Sequence, residues 1–317
     1  MFYQPNRFSN SSCGLSPNVC VPVSSPNGSL EDPICELYVR LQKYTMTKAK
    51  LDSHAYHNPM KNYNSNLGPL IDMRKRRQCE RCQRTYTVHR NGSPREIDRR
   101  NSCFYHPGKI VMPFFFRYAY YTCCGMKVQP FATGCISQPF HGFVSTKQSV
   151  GSNPVALAID CEMCITSNGS ECTRVTVVNQ FNVVVYESLV WPEEPIIDYV
   201  TKYSGITKEI LLRGPTRTLR QVQDYLLSFI KSDTILIGHS LESDLRALKL
   251  HHDMLVDTSL VFPHKIPGKR RSLRELASTY LNRTIQNREN GHDSAEDSEA
   301  CIQLMQYVLD NDRRNPG

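Results

Sequence analysis

The rhythm of apolar and polar positions changes near residue 155. Beyond it, "VALAID" (155–160), "TRVTVVN" (173–179) and "NVVVYESLV" (182–190) are β-branched runs separated by turn residues, which predicts three strands. "TLRQVQDYLLSFI" (218–230) then takes a helical period, "TILIGH" (234–239) is a short buried strand, and "LESDLRALKL" (241–250) is a helix. "RSLRELASTYL" (271–281) and "SAEDSEACIQLMQYVL" (294–309) predict two more helices. Three strands followed by alternating helices and strands imply an α/β domain over 150–317, a mixed β-sheet flanked by helices.

Upstream the pattern is sparser. Residues 1–32 are rich in Asn, Ser, Pro and Gly, which predicts a disordered tail. "ICELYVRLQKYTM" (34–46) sets Leu37, Leu41 and Tyr44 at helical spacing, a short amphipathic helix that docks on the next domain. "NYNSNLGP" (62–69) reads as a linker, so 33–70 is helix and linker. A cysteine- and histidine-rich block fills 71–145, and "STKQSVGSN" (145–153) reads as a second linker.

Composition narrows the class. The 317 residues are enough for about two domains, and the net charge of +8 suits a polyanion such as nucleic acid, or simply a solvated basic surface. Thirteen cysteines, an odd number, with no apolar leader at the N-terminus, argue against a secreted disulfide framework. In the reducing compartment this implies, dense cysteine points to metal. The most apolar stretch, "IVMPFFFRYAYY", is too short to span a membrane and carries Arg117.

Cys79-x2-Cys82 is followed by Cys103-x2-His106, and then by Cys123, Cys124, Cys135 and His141. Two residues between ligands let a turn aim both side chains at one tetrahedral zinc. Six Cys and two His are enough for two ions with three Cys and one His each. Sequence leaves the pairing open, interleaving included, and the adjacent Cys123 and Cys124 are expected to serve different ions. "YHPGK" and "YTCCG" make the block similar to cysteine-and-histidine-rich modules of the CHORD type. A block this small depends on its metals to fold. Arg74, Lys75, Arg76 and Arg77 precede it, and Arg81, Arg84, Arg90, Arg95, Arg99 and Arg100 are interleaved with Tyr86, Phe104 and Tyr105. Such a surface grips RNA by charge and stacking, or is the solvated face of a structural module. "RKRR" also fits a nuclear import signal, so the nucleus is the expected compartment, with the cytoplasm as the alternative.

The strand "VALAIDCEMC" carries Asp160 and Glu162 at i and i+2, on one face. Two adjacent carboxylates resist burial unless a cation neutralises them, and Mg²⁺ or Mn²⁺ favours oxygen ligands. Asp244 follows on a helix after "TILIGH", and "GHDSAEDSEA" sets His292 five residues before Asp297. The order D-x-E, D, H-x4-D is that of the DEDD exonucleases in their histidine form. Asp293 excludes the tyrosine form, which needs Tyr at that position.

Together with "ALAIDCEMC", "YSGIT", "VDTSLVFPH" and "KRRSLRELASTYL", these motifs resemble the RNA exonuclease one family, which includes the GOR autoantigen proteins. The resemblance covers nearly all of 155–310 and extends back over the cysteine block and the helix near residue 40. It implies an RNase H-like fold and 3′→5′ hydrolysis of RNA 3′ ends to nucleoside 5′-monophosphates with two Mg²⁺ or Mn²⁺ ions. Asp160 would bridge the ions, Glu162 and Asp297 would serve the one that activates water, Asp244 the other, and His292 would be the general base. Tyr203, Ser204, Gly205, Ile206 and Thr207 match the family's segment near the terminal nucleotide, or form a simple turn. Lys265, Lys269, Arg270, Arg271 and Arg274 make a basic loop suited to phosphate. Asp257 reads as a helix cap, and Asp293 and Glu296 as acids turned away from the ions. The competing readings are a DNA exonuclease and a non-catalytic RNA- or protein-binding protein. A monomer is expected, with no protein partner named.

Overall fold

The computed structural model describes residues 33–54, 56, 76–79, 81–87, 102–106, 110–112, 118–129, 134–138, 141–142, 144–149, 151–167, 169–287 and 291–314. The tail 1–32, the linker 62–69 and the side chains of Arg74, Lys75, Arg76, Arg77, Arg90, Arg95, Arg99 and Arg100 lie outside the described residues.

Strands β8 (Ala156–Thr166) and β9 (Gly169–Asn179) form a long antiparallel ladder from Leu157↔Asn179 to Thr166↔Gly169. β10 (Val184–Trp191) adds antiparallel to β9, and β12 (Thr216–Thr218) runs parallel beyond it. On the other side β13 (Ile235–Gly238) and β15 (Leu255–Asp257) run parallel to β8. The order is β12-β10-β9-β8-β13-β15, with the short β11 (Ile196–Asp198) paired to the end of β8. This is the mixed α/β sheet that the sequence predicts.

Alternation along β8 sorts the core into two layers. Leu157, Ile159 and Cys161 pack with Val175 and Val177 of β9 against Val222 and Leu226 of α5 (Leu219–Phe229) and Leu245 of α6 (Glu242–Ala247). Ala156 and Ala158 face Ala300, Leu304 and Met305 of α9 (Ser294–Arg314) and Leu276 of α8 (Leu273–Leu281). Small residues on that side let α9 lie close to the sheet. The helix starts are fixed by side chains: Thr218 and Gln221 form a capping box on α5, and Ser272 accepts from the Glu275 amide on α8.

The N-terminal helix α1 (Pro33–Gln42) docks on this domain, against α9, β8 and β13. Leu41 enters the α9 layer; the chain then rounds the sheet edge, where the Met46 amide donates to Leu255 O at 2.8 Å, and Met46, Leu51 and Tyr56 enter the opposite layer. Parts of 145–153, read as a linker, pack on the domain instead: β7 (Val144–Ser145) pairs with β14 (Leu250–His251), and Thr146, buried, bonds His252 Nδ1 at 2.7 Å. Their Ser, Thr and Asn side chains satisfy backbone and side-chain groups of the domain, a use of polar residues that composition alone does not separate from linker.

The cysteine block is built from short antiparallel pairs: β1 (Arg76–Gln78) with β2 (Thr85–Thr87), β3 (Cys103–Tyr105) with β6 (Ile136–Gln138), and β4 (Ile110–Val111) with β5 (Tyr120–Tyr121). Among the described residues its buried cluster is Cys79, Tyr86, Cys103 and Tyr105. Among the described residues no helix is long and apolar enough to cross a membrane.

Candidate active site and two cysteine–histidine centres

Asp160 and Glu162 lie on the α9 side of β8, opposite Thr176 and Arg174 of β9, as the strand period requires. Asp244 sits in the first turn of α6, and its Oδ1 accepts the Cys161 amide at 2.9 Å, which ties that turn to β8 between the two acids. Asp297 sits in the first turn of α9, where its Oδ2 accepts from Gln286 Nε2 at 2.9 Å and lies 3.8 Å from His292 Nδ1. Glu162, Asp244 and Asp297 are only 6%, 4% and 3% exposed.

Burial at that level disfavours charge, and the acids repel one another. Burial pushes Asp160 well above the usual carboxylate range, and Asp244, Asp297 and Glu162 add to it. Burial raises Glu162 to about 8, with Asp297 adding and Arg174 opposing. Asp297 rises to about 7 from burial, with the Gln286 bond opposing. Asp244 is also raised by burial, against the Cys161 amide. Glu162 Oε1 and Asp297 Oδ1 are buried without a hydrogen-bond partner. Unpartnered carboxylate oxygens among crowded acids fit a hard divalent cation with oxygen ligands.

His292 is half-buried, and burial lowers its pKa, with Arg274 lowering it further and Glu296 opposing. Its amide donates to Tyr203 O at 2.6 Å, and the two rings meet edge to face with centroids 6.2 Å apart. The "YSGIT" segment is therefore beside the histidine. Gly291 (φ +92) makes this possible, since a Cβ there would stand 2.2 Å from Gly205 N. Tyr203 is exposed, Ser204 and Ile206 point inward, and Thr207 caps α4 (Lys208–Arg213). Residues Thr201–Ser204 form the short helix α3, so the segment is a helix end with Gly205 at its αL cap (φ +64).

The smaller assignments also find places. Asp257 caps α7 (Thr258–Val261) through the Ser259 amide. The side chain of Asp293 accepts from the Ala295 amide, and Glu296 accepts from the Gln286 amide. Outside those assignments, Glu171 accepts from the Glu193 amide and His239 bonds Thr258. Within the basic loop Arg270 pairs with Glu242, and Arg271 with Glu275 and Tyr280, so these two turn inward; Lys265, Lys269 and Arg274 are exposed. Gln286 was not anticipated: a single Gln in a loop carries no pattern, and its positive φ (+56) is the backbone feature that brings both its amides to the acids.

The eight candidate ligands of the cysteine block assemble as two interleaved sets: Cys79, Cys82, Cys103 with His141, and His106, Cys123, Cys124 with Cys135. Within each, all ligand atoms lie within 4.8 Å of one another. Cys79 and Cys103 sulfurs are 3.5 Å apart, and Cys82 Sγ is 3.2 Å from His141 Nδ1. In the second set Cys135 to Cys123 is 3.5 Å and Cys124 to His106 Nδ1 is 3.4 Å. A tetrahedral zinc with sulfur arms of about 2.3 Å has edges of about 3.8 Å, so both sets fit a three-Cys, one-His ion. The two x2 pairs do not share one ion, because β3 sends Cys103 to one set and His106 lies just past its end. Cys123 and Cys124 fall in the same set, against the expectation that neighbours serve different ions. That expectation assumes strand-like alternation; here both lie in a turn, where successive side chains can converge.

The exonuclease (RNase_T) family model matches residues 157–305. The exonuclease GOR of Pan troglodytes is 39% identical over 296 residues, covering 86% of this chain and 42% of that protein. The human RNA exonuclease 1 homolog is 38% identical over 304 residues, covering 88% of this chain and 24% of that protein. The chain thus spans less than half the length of these curated relatives. Among solved structures, the Pan2 catalytic unit of Neurospora crassa (protease and nuclease domain) aligns at 25% identity with a TM-score of 0.46, over 51% of this chain and 28% of that one.

Proposed function

We propose, from its similarity to the RNA exonuclease 1 and GOR exonucleases, that this chain is a 3′→5′ exoribonuclease of the DEDDh type that releases nucleoside 5′-monophosphates. The observation that carries this is the meeting of Asp160, Glu162, Asp244 and Asp297 from three elements, with two buried carboxylate oxygens left unpartnered and His292 beside Asp297. These four acids would hold two Mg²⁺ or Mn²⁺ ions, which supply charge stabilisation to the attacking and departing oxygens of an in-line displacement. His292, held neutral near pH 7 by its lowered pKa, accepts the proton of the attacking water. The exposed ring of Tyr203 offers a stacking face to the last base, in a segment whose backbone is tied to the histidine.

The same proposal gives the cysteine block two structural zinc ions, RNA 3′ ends as substrate, and the nucleus as the compartment. Matched 5′-labelled RNA and DNA oligonucleotides, incubated with Mg²⁺ or Mn²⁺ and resolved by length, test the activity. We expect stepwise shortening of RNA from the 3′ end, with mononucleotide 5′-phosphate as product, and no shortening by Asp160→Ala. Preferential loss of DNA would favour the DNA exonuclease reading. Near-normal turnover by Asp160→Ala would overturn the assignment of the site.

A further inference from the structure

The two cysteine–histidine centres have different surroundings. Cys123, Cys124 and Cys135 are exposed, whereas Cys79, Cys103 and His141 are buried and Cys82 is half-buried. The buried centre lies at the seam between the block and the α/β domain. Arg81, inside the Cys79–Cys82 turn, is 8% exposed, with its guanidinium 5.7 Å from the centre of the Tyr105 ring. Its Nη2 donates to Oε1 of Gln223 on α5, a side chain only 1% exposed. Gln223 Nε2 in turn donates to Leu248 O at 2.7 Å and reaches Gly142 O at 3.4 Å. Leu248 is the C-cap of α6, and its own amide donates to Asp244 O at 2.8 Å. Gly142 directly follows the ligand His141, and two residues on, the Val144 amide donates to Lys249 O at 2.9 Å.

We propose that the Cys79/Cys82/Cys103/His141 centre, loaded with zinc, is an interdomain clamp: it presents Arg81 to Gln223 and thereby fixes the end of the helix that carries Asp244. Arg81 and Gln223 are positioning residues for the nuclease site. A tetrahedral ion fixes the four-residue turn from which Arg81 projects, something strands of three residues with a small core do poorly. Gln223 accepts from Arg81 through its carbonyl and gives its shortest amide bond to Leu248 O, so the seated block orients the amide that holds the helix. Removing Arg81 leaves a buried carbonyl unpaired, and the cheapest relief is rotation or solvation of the Gln223 amide, which releases Leu248 O. The exposed centre's sulfurs bond one another and His106, which stacks on Tyr121 of the outer β4–β5 pair, so its metal orders the outer part of the block.

This inference rests on the nuclease reading only for the role of Asp244; the clamp itself is read without substrate. The experiment is hydrogen exchange over 242–249 in the full-length, zinc-loaded protein, with zinc per chain measured alongside. Arg81→Ala keeps all four ligands, so zinc should stay at the wild-type level while exchange over 242–249 rises about tenfold or more, the factor implied by one unpaired buried carbonyl. Cys135→Ser should lose one zinc and leave exchange there unchanged. Gln223→Glu keeps an acceptor for Arg81 but loses the amide donor, so exchange should rise in α6 and stay low over 79–87. On a short oligonucleotide Arg81→Ala should lower kcat with little change in KM, and Arg81→Lys should restore part of it. Unchanged exchange in Arg81→Ala at full zinc content would overturn the clamp, as would an equal rise in Cys135→Ser. If the clamp holds in exchange while wild-type protein degrades no RNA, the nuclease reading fails and the clamp stands.

Discussion

Replacing Glu162 by Gln tests the electrostatics of the acid cluster without needing substrate. The Glu162 carboxyl is raised to about 8 from an ordinary value near 4.5, first by burial and then by Asp297, with Arg174 opposing. Between those two pH values the folded protein binds more protons than the unfolded chain, so stability falls as pH rises. The full shift corresponds to at most about 5 kcal/mol, since each pKa unit is about 1.4 kcal/mol. Part of that repulsion is shared with Asp297 and Asp160, so removing one charge should recover about 1–3 kcal/mol. Gln has nearly the same shape and no charge. In buffer free of Mg²⁺ and Mn²⁺, and without chelator so that zinc stays in place, the two proteins should therefore diverge as pH rises. Near pH 5 they should melt at similar temperatures. Near pH 8.5 the variant should melt higher by several degrees, at about 2–4 °C per kcal/mol for a chain of this size.

Added Mn²⁺ should reverse the order at pH 8.5. A ligand at a hundred times its Kd stabilises by about 2.7 kcal/mol, and the wild type keeps the carboxylate that the variant lacks. Thermal melts at several pH values, with and without Mn²⁺, are the assay. A difference between the two proteins that stays flat from pH 5 to 8.5 would refute the reasoning, because a carboxyl with an ordinary pKa produces no such divergence. Mn²⁺ stabilising both proteins equally would remove Glu162 from the ion site.

Two further outcomes follow from the same geometry. Arg274 lowers the pKa of His292, so Arg274→Gln should move the acid limb of kcat/KM to higher pH, towards the ordinary histidine value; a limb that does not move separates His292 from that step. Deleting residues 1–148 should destabilise the remaining domain rather than spare it, because Leu41, Met46, Leu51, Tyr56 and Val144 are all buried in its two core layers. At about 1.5–3 kcal/mol for each large apolar side chain, their loss rivals the whole stability of a domain. A fragment of 149–317 that melts like the full protein would contradict this.

The meeting of the four acids and His292 was legible because the proposed chemistry imposes spacing. A strand must place Asp160 and Glu162 two apart, and a helix start must carry Asp297 shortly after His292; the structure has both. What sequence did not disclose are the groups that position these acids. Gln286, the Cys161 amide and the Gly291–Gly205 approach act through backbone conformation and loop closure, which leave no periodic trace. The ligand pairing of the cysteine block was open for a related reason. Spacing says which residues a turn can bring together locally, whereas the partition into two sets is decided by the long-range pairing of β3 with β6 and by the turn at 122–124.

The packing of the N-terminal arm bears on what counts as the nuclease unit. The family match begins at residue 157, and hydrophobic period alone would begin the domain close to there. Yet β15 is an edge strand, and an edge strand offers unpaired backbone groups that must be covered. The Met46 amide on Leu255 O covers part of that edge, and Tyr56 donates to Asp257 Oδ2 at 2.5 Å. Asp257 also accepts from the Ser240 amide at 2.9 Å, and Ser240 holds a positive φ (+55) in the turn that leads into the helix of Asp244. Residues a hundred positions before the matched domain therefore brace the start of the helix whose far end, at Leu248, the cysteine block braces through Gln223. An acid that must stay buried among like charges can drift away from its neighbours unless both ends of its helix are held, and here the two holds come from segments outside the sheet domain.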